Sequence, residues 1–362
     1  KRCHPPIMRA PLCGLLLWVP SSRCVSRKDV DYIVSGLQRD KYISVAASDI
    51  RSMLSHRGAT KQHQDHEEEL AAYFDTAVPQ YDEHGTAVYP YKETLVSYYS
   101  MNTTQSHYNA CPSGSTESVQ LPGHTIEHID PTTSNGPAGS PGSEGAAASY
   151  YRVHKSWPPE AQGNPLFRAM LHLIFDVIRQ IDGNEPAPRQ LEVTAQANGA
   201  VAEIMREQDI RGSPQHPHLK GLHEAMVSAF RVKRDAELLG DPGPEGVHQD
   251  SATLTVIFLW RRRNVDADSG RNRVWSLKQP SGKPSQEDVH LPGRLLMELT
   301  LMSRFDALFV LDREVKHQVL PLEVEDVMAG SAEREVITFE VRPWRNKAGD
   351  AQRLMCRLHH DV

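Results

Sequence analysis

The chain has 362 residues, 39% of them apolar and 24% charged, and a formal net charge of −6. These proportions are those of a globular protein with room for one large domain or two ordinary ones, and its dispersed Lys and Arg argue against a dedicated nucleic-acid surface. No apolar run reaches the ~20 residues of a membrane-spanning helix, and the 5 Cys form no CxxC pair, so neither a zinc site nor a disulfide framework is indicated and a reducing, cytoplasmic setting is expected.

In chain order, residues 1–28 contain Arg, lack acidic residues and carry the apolar patch Leu12–Val19. They are expected to be a leader, either disordered or a cleavable targeting segment that would direct the protein to an organelle. Residues 29–102 read as an N-terminal α/β part of the catalytic domain: a helix, a strand at Tyr42–Val45, and a helix at Asp49–Leu54 capped by Ser48. His63–Ala72 is a charged helical stretch, and Tyr73–Met101 is Tyr-rich and partly extended. Residues 103–149, rich in Ser, Thr, Gly, Pro and Ala, are expected to form a disordered insertion or long loop. Asn164 and Pro165 then open a helix whose stripe is Met170, Leu171, Ile174, Val177, Ile178 and Ile181, and Gly183 ends it.

Strand candidates fill the remainder of a core placed at 150–345, before a tail at 346–362. They are Leu191–Ala195, Ala225–Val232, Leu254–Trp260, Asn272–Leu277, Phe305–Leu311, Val315–Leu322 and Glu335–Val341. Many short strands between turn residues predict a mainly β sandwich or barrel with flanking helices.

The segment Gly243–Asp250, GPEGVHQD, sets His248 and Asp250 two residues apart before an apolar strand. Side chains at i and i+2 of a strand share a face, so an imidazole and a carboxylate would project together. A second His lies far downstream, at His317 in LFVLDREVKHQVLPL. Two imidazoles and one carboxylate with open positions opposite form the ligand set of non-haem Fe(II) oxygenases. Three further positions would admit a bidentate co-substrate and then O2. This motif selects a double-stranded β-helix, a cupin-like jelly roll open at one end.

The segments PEGVHQD, RRRNV, RFDALFVLDREVKHQVLPLE and EREVITFEV, in this order, resemble the 2-oxoglutarate/Fe(II) dioxygenase family that includes isoleucine 4-hydroxylase and related free amino-acid hydroxylases. The resemblance covers roughly residues 222–342 and is weaker over 29–100 and 150–200. Ser251 stands where the family usually has Gly, and Asp268-Ser269-Gly270 replaces a Gly-Gly turn.

The resemblance implies Fe(II), 2-oxoglutarate and O2, with His248, Asp250 and His317 as metal ligands. It matches Arg334 to the arginine that binds the distal carboxylate of 2-oxoglutarate, a task suited to a planar guanidinium fork. Thr338 shares strand parity with Arg334 and would line the same cavity; Arg342 shares it too and is the second candidate anchor. Arg231 matches a strand residue before the metal motif and would reach a substrate or co-substrate carboxylate, or else form a structural salt bridge. Glu245 would hydrogen-bond a ligand His or shape its loop. Phe258 and Trp260 are expected in the core. Asp250 speaks against halogenation, since related halogenases place a small residue there. The implied activity is hydroxylation of an unactivated C–H bond of a small molecule, most directly a free amino acid. The alternatives are a cupin-like metal-binding or structural protein without turnover, and a protein hydroxylase.

Overall fold

The structure is a computed structural model that describes residues 27–57, 63–81, 87–102, 107–109, 124–129, 150–183, 222–243, 245–250 and 252–343. The strand expected at Leu191–Ala195, Ser251, the tail 346–362 and all but the end of the leader lie outside these residues.

Helix α1 (Arg27–Asp40) buries Val30, Ile33, Val34 and Leu37, the i, i+3, i+4, i+7 stripe of a helix lying on a core. Strand β1 (Tyr42–Val45) follows, then α2 (Ala47–Ser55). Ser48 does not cap α2. The N-cap position is Ala46, and the backbone N–H of Ala47 donates instead to Asp306 Oδ1 at 3.0 Å. A distant carboxylate thus does what the local serine was expected to do. Helix α3 (His63–Phe74) leads to strands β2 (Val78–Tyr81) and β3 (Ala87–Asn102).

Two short strands, β4 (His107–Asn109) and β5 (His124–Ile129), lie within the segment read as structureless. Six residues of β5 pair with β6 (Tyr150–Lys155). Cross-strand pairing gives these stretches order that their composition did not announce.

Helix α4 (Pro165–Ile181) starts at Asn164, whose side chain accepts from the N–H groups of Leu166 and Phe167. Its Nδ2 also donates to Glu69 Oε2 at 2.7 Å and His66 O at 3.1 Å, which ties α3 to the start of α4. Gly183 leaves the helix at φ 74°. Leu166, Phe167, Met170, Leu173, Ile174 and Ile178 are wholly buried. Each such side chain favours the folded state by roughly 1.5–3 kcal/mol over exposure to water.

The remaining elements are β7 (Leu222–Arg234), β8 (Leu254–Arg263), β9 (Asn272–Ser276), α5 (Gln286–His290), β10 (Leu295–Leu299), β11 (Ala307–Val310), β12 (Val315–Val319) and β13 (Ala332–Pro343). A ten-stranded sheet runs β1-β11-β8-β13-β7-β3-β2-β6-β5, with β4 on β3. A smaller sheet runs β10-β9-β12, and bridges from Val247 to Gly282 and from His248 to His317 join the metal motif to it. Ile257, Leu259, Leu308, Val310 and Val336 of the large sheet meet Val274 and Val315 of the small one in one apolar cluster. The two sheets therefore face each other as a jelly roll. On the outer face of the large sheet, Val256, Phe258, Trp260, Ile337 and Phe339 pack with α1, α2, α3 and α4.

A β-bulge on β8 matters for the site. Opposite β13, Glu335 faces Arg261 and Val336 faces Leu259, so Trp260 is the extra residue. The bulge reverses the side-chain phase of β8 beyond it. Trp260 stays in the helix-side core, while Arg262 comes to lie opposite Arg334.

Candidate active site

His248 and His317 form an antiparallel bridge, each N–H donating to the other's carbonyl at 3.0 Å. Their rings consequently stand side by side, with centroids 4.4 Å apart. Asp250 reaches in from the same segment: its Oδ1 lies 3.6 Å from His248 Nε2 and its Oδ2 3.2 Å from His317 Nε2. One ligand atom from each of the three residues lies within 4.8 Å of the others.

The second nitrogen of each ring fixes which atom faces the centre. His248 Nδ1 lies 2.9 Å from the carbonyl of Gly246, which can only accept, so Nδ1 carries the proton and Nε2 presents a lone pair. His317 Nδ1 lies 2.9 Å from Oδ1 of the wholly buried Asp312, which likewise turns its Nε2 towards the centre. Outer partners of this kind orient metal-binding imidazoles. Those partners are Gly246 and Asp312, not Glu245, which lines the cavity instead. Asp312 opens the DREVKH segment, where nothing in the local sequence marks it as the partner of a ring five residues on. The chain turns between Asp312 and Val315, where Glu314 N–H donates to Leu311 O at 2.9 Å, and brings a carboxylate five residues upstream against the ring.

The centre is strongly coupled by charge. Burial alone would raise the pKa of Asp250, but the charges of His317 and His248 hold it well below the usual carboxylate range. Burial would lower that of His317, but Asp250 and Asp312 outweigh it and raise the imidazole well above its ordinary value. The carboxylate thus calls for positive charge at the point where the two Nε2 atoms converge.

From this centre a cavity of about 170 Å³ extends between the sheets. One face of β13 lines it with Arg334, Val336, Thr338, Glu340 and Arg342, as strand alternation requires. Arg334 is only 2% exposed. Its Nη2 lies 3.5 Å from Asn272 Oδ1, and its Nε finds no hydrogen-bond partner among the described residues. No carboxylate pairs with it among those residues. Burial, with a further contribution from the charge of Arg262, lowers its pKa to about 9. A cation so desolvated favours an anion that enters the cavity. Gly270 packs beside this side chain at φ +61°; a Cβ there would clash with Leu322 at 2.7 Å, while Arg334 Cδ at 3.6 Å would be in ordinary contact. Thr338 lies between Ser228 of β7 and Ile257 of β8, and its hydroxyl and that of Ser228 lack protein partners among the described residues.

Arg231 is elsewhere. It lies across from Glu335 on the helix-side face of the sheet, bonded to Glu335 Oε1 at 2.8 Å and Asp75 Oδ1 at 2.6 Å, with Glu93 Oε2 at 3.4 Å. Burial would lower its pKa, but these carboxylates raise it. The expectation that Arg231 reaches a ligand carboxylate is therefore corrected. The β7 residues that line the cavity are Met226, Ser228, Phe230 and Val232, on the opposite face of the strand from Arg231. Phe258 and Trp260 are buried in the helix-side cluster.

Residues 147–340, more than half of the chain, match the model of the 2OG-Fe dioxygenase family. The bifunctional enzyme flvA of Aspergillus flavus is 27% identical over 143 residues, a match spanning 40% of this chain and 17% of that protein. The fold is similar to that of the Fe(II)/(alpha)ketoglutarate-dependent dioxygenase TqaL, with a TM-score of 0.56 at 15% identity over 89% of this chain and 90% of the other. A bsmA homologue from Methylobium petroleophilum PM1 gives a TM-score of 0.53 at 15% identity, over 86% of this chain and 92% of that one. With its sequence matched over the jelly roll and its fold shared, the chain belongs to the 2OG-Fe dioxygenases, enzymes that use Fe(II), 2-oxoglutarate and O2.

Proposed function

We propose that this dioxygenase hydroxylates an unactivated C–H bond of a free amino acid or a closely similar small molecule. In this reading His248, Asp250 and His317 hold Fe(II), and Arg334 binds the distal carboxylate of 2-oxoglutarate. The observation that carries it is the convergence of two imidazole lone pairs and one carboxylate within 4.8 Å, at one end of a cavity that also contains a buried arginine without a carboxylate partner among the described residues.

The donor set fits the metal: two nitrogens and one oxygen on one side suit non-haem Fe(II). When bound, iron and 2-oxoglutarate supply the oxidising chemistry, consuming O2 and releasing succinate and CO2. The chain's own residues hold the geometry. Gly246 and Asp312 lock the two rings through Nδ1. Arg334 fixes the far end of the co-substrate, and the hydroxyl of Thr338 offers it a hydrogen bond. Val336, Ile257 and Val319 line the space around it and exclude water.

Two features support a free amino acid. The cavity is compact, about 170 Å³, which suits a small molecule better than a stretch of polypeptide. Its charged lining is balanced, with Lys92, Arg334 and Arg342 against Glu245, Asp250 and Glu340. The charges of Fe(II) and the 2-oxoglutarate dianion cancel as well. A zwitterion enters such a cavity without leaving a net charge uncompensated. The family resemblance carried by PEGVHQD and DREVKHQVLPL points to the same substrate class.

The test is anaerobic reconstitution with Fe(II) and 2-oxoglutarate, followed by O2 and a panel of the common amino acids. Iron-dependent succinate formation, stimulated by one or a few of them and accompanied by a product heavier by one oxygen atom, is expected. Succinate formation that no amino acid stimulates would overturn the substrate class. Full activity of a His317→Ala variant would overturn the ligand set.

A further inference from the structure

Beyond Thr338, the cavity face of β13 continues to Glu340 and Arg342, where Arg342 Nη2 donates to Glu340 Oε2 at 2.5 Å. Arg334 and Arg342 are eight residues apart on one strand, which separates them by roughly 26 Å along the sheet. The five-carbon chain of 2-oxoglutarate is far shorter than that. A molecule reaching from the iron ligands to Arg334 leaves the Arg342 end of the cavity to a different ligand.

That end is nonetheless tied to the segment that carries Asp250. The backbone N–H of Thr253, just past Asp250, donates to the carbonyl of Val341 at 2.7 Å. This bond pins the metal motif to the stretch of β13 between Glu340 and Arg342. The charge of Arg342 also contributes to holding the Asp250 carboxylate low. The neighbouring wall is aliphatic: Met226 lies across from Glu340 and Ile257 across from Thr338, and Val96 lines the same space.

We propose that Glu340 and Arg342 form the head-group site of the substrate. Arg342 takes the carboxylate and Glu340 the ammonium of an aliphatic α-amino acid, whose side chain lies over Met226, Val96 and Ile257 towards the iron ligands. This assignment rests on the free amino-acid reading above. The physical reason is charge compensation. A zwitterion offers Arg342 a carboxylate and Glu340 an ammonium, so that each charge meets an opposite one on the ligand. A simple anion would face repulsion from Glu340, and a simple cation from Arg342. Either would lose part of what the other charge contributes. An N-acylated residue or an internal peptide position lacks the ammonium, so the same pair selects against protein substrates.

The experiment takes the best amino acid from the panel, its N-acetyl derivative and its primary amide as probes. Each is measured with the parent, Glu340→Gln and Arg342→Gln enzymes. The 2-oxoglutarate affinity of each protein, titrated under nitrogen with Fe(II), serves as the control for folding. KM for the amino acid should rise by about tenfold or more in both variants, the scale of a lost charged hydrogen bond. The 2-oxoglutarate affinity should stay at the parent's value. Glu340→Gln should lose discrimination against the N-acetyl derivative, and Arg342→Gln discrimination against the amide. An active amino acid whose KM and selectivity are unchanged in both variants would overturn the head-group site while leaving the substrate class standing. No active amino acid on the panel would sink both. Loss of 2-oxoglutarate affinity in both variants would also overturn the assignment, placing the pair in the co-substrate site or the fold.

Discussion

The carboxylate of Asp312, wholly buried, lies 2.9 Å from Nδ1 of His317 and accepts a hydrogen bond from it. It makes the ring present Nε2 towards Asp250 and increases the basicity of that nitrogen. Outer-shell partners of this kind typically contribute 10–100-fold to metal affinity. Asp312→Ala should therefore weaken Fe(II) binding by about that factor, while Asp312→Asn, which retains an acceptor, should fall between it and the parent. Metal titration of the folded variants decides this. Equal affinity in all three would show that the ring is held by packing alone.

Asp250 is the single anion among the three converging residues. Asp250→Ala removes it and opens a coordination position, so hydroxylation should fall by several orders of magnitude with iron occupancy reduced. Asp250→Glu keeps the charge but shifts the carboxylate by about one bond length, and a displacement of ~1 Å can cost about 10²-fold in rate. It should retain some metal and turn over poorly. Succinate formation and iron content, measured together, separate the two effects.

Arg334→Lys keeps a positive charge and loses the planar fork. KM for 2-oxoglutarate should rise by about tenfold or more, with iron binding largely retained. An unchanged requirement for 2-oxoglutarate would move the anchor to Arg342.

Gly246 adopts φ 76°, and a Cβ at this position would collide with the carbonyl of Gly282. That same carbonyl accepts from Val247 N–H at 2.8 Å. Gly246→Ala should push the two segments apart and displace the carbonyl that orients His248. Strain in the left-handed region adds roughly 1–2 kcal/mol. Reduced iron affinity together with a lower melting temperature is expected; a melting temperature equal to the parent's would refute the clash.

Asn164→Ala removes the cap of α4 and its two bonds to α3. The loss should destabilise the protein by about 2 kcal/mol. A lowered denaturant midpoint at constant slope is the readout. His248, Asp250 and His317, the proposed iron ligands on the opposite side of the large sheet, should bind metal as before.

Local sequence was sufficient wherever one element's own periodicity or punctuation decides the outcome. Asn164-Pro165 and Gly183 bracket α4, and Tyr42–Val45 is β1. The spacing of His248 and Asp250 places them together, and alternation along β13 sets Arg334, Thr338 and Arg342 on one face. These follow from helix capping and the two-residue repeat of a strand, which act over a few residues. Tertiary structure decided the relations between distant segments. Parity cannot tell which face of β7 meets the second sheet, so the sequence leaves Arg231 between a ligand carboxylate and a salt bridge; the fold joins it to Glu335, Asp75 and Glu93 on the helix side. The bulge at Trp260, set by pairing with β13, brings Arg262 beside Arg334. Asp306 replaces Ser48 at the start of α2, and Asp312 comes to His317 through a turn. Register and backbone hydrogen bonding between remote strands are collective properties of the folded chain, and no short window of residues contains them.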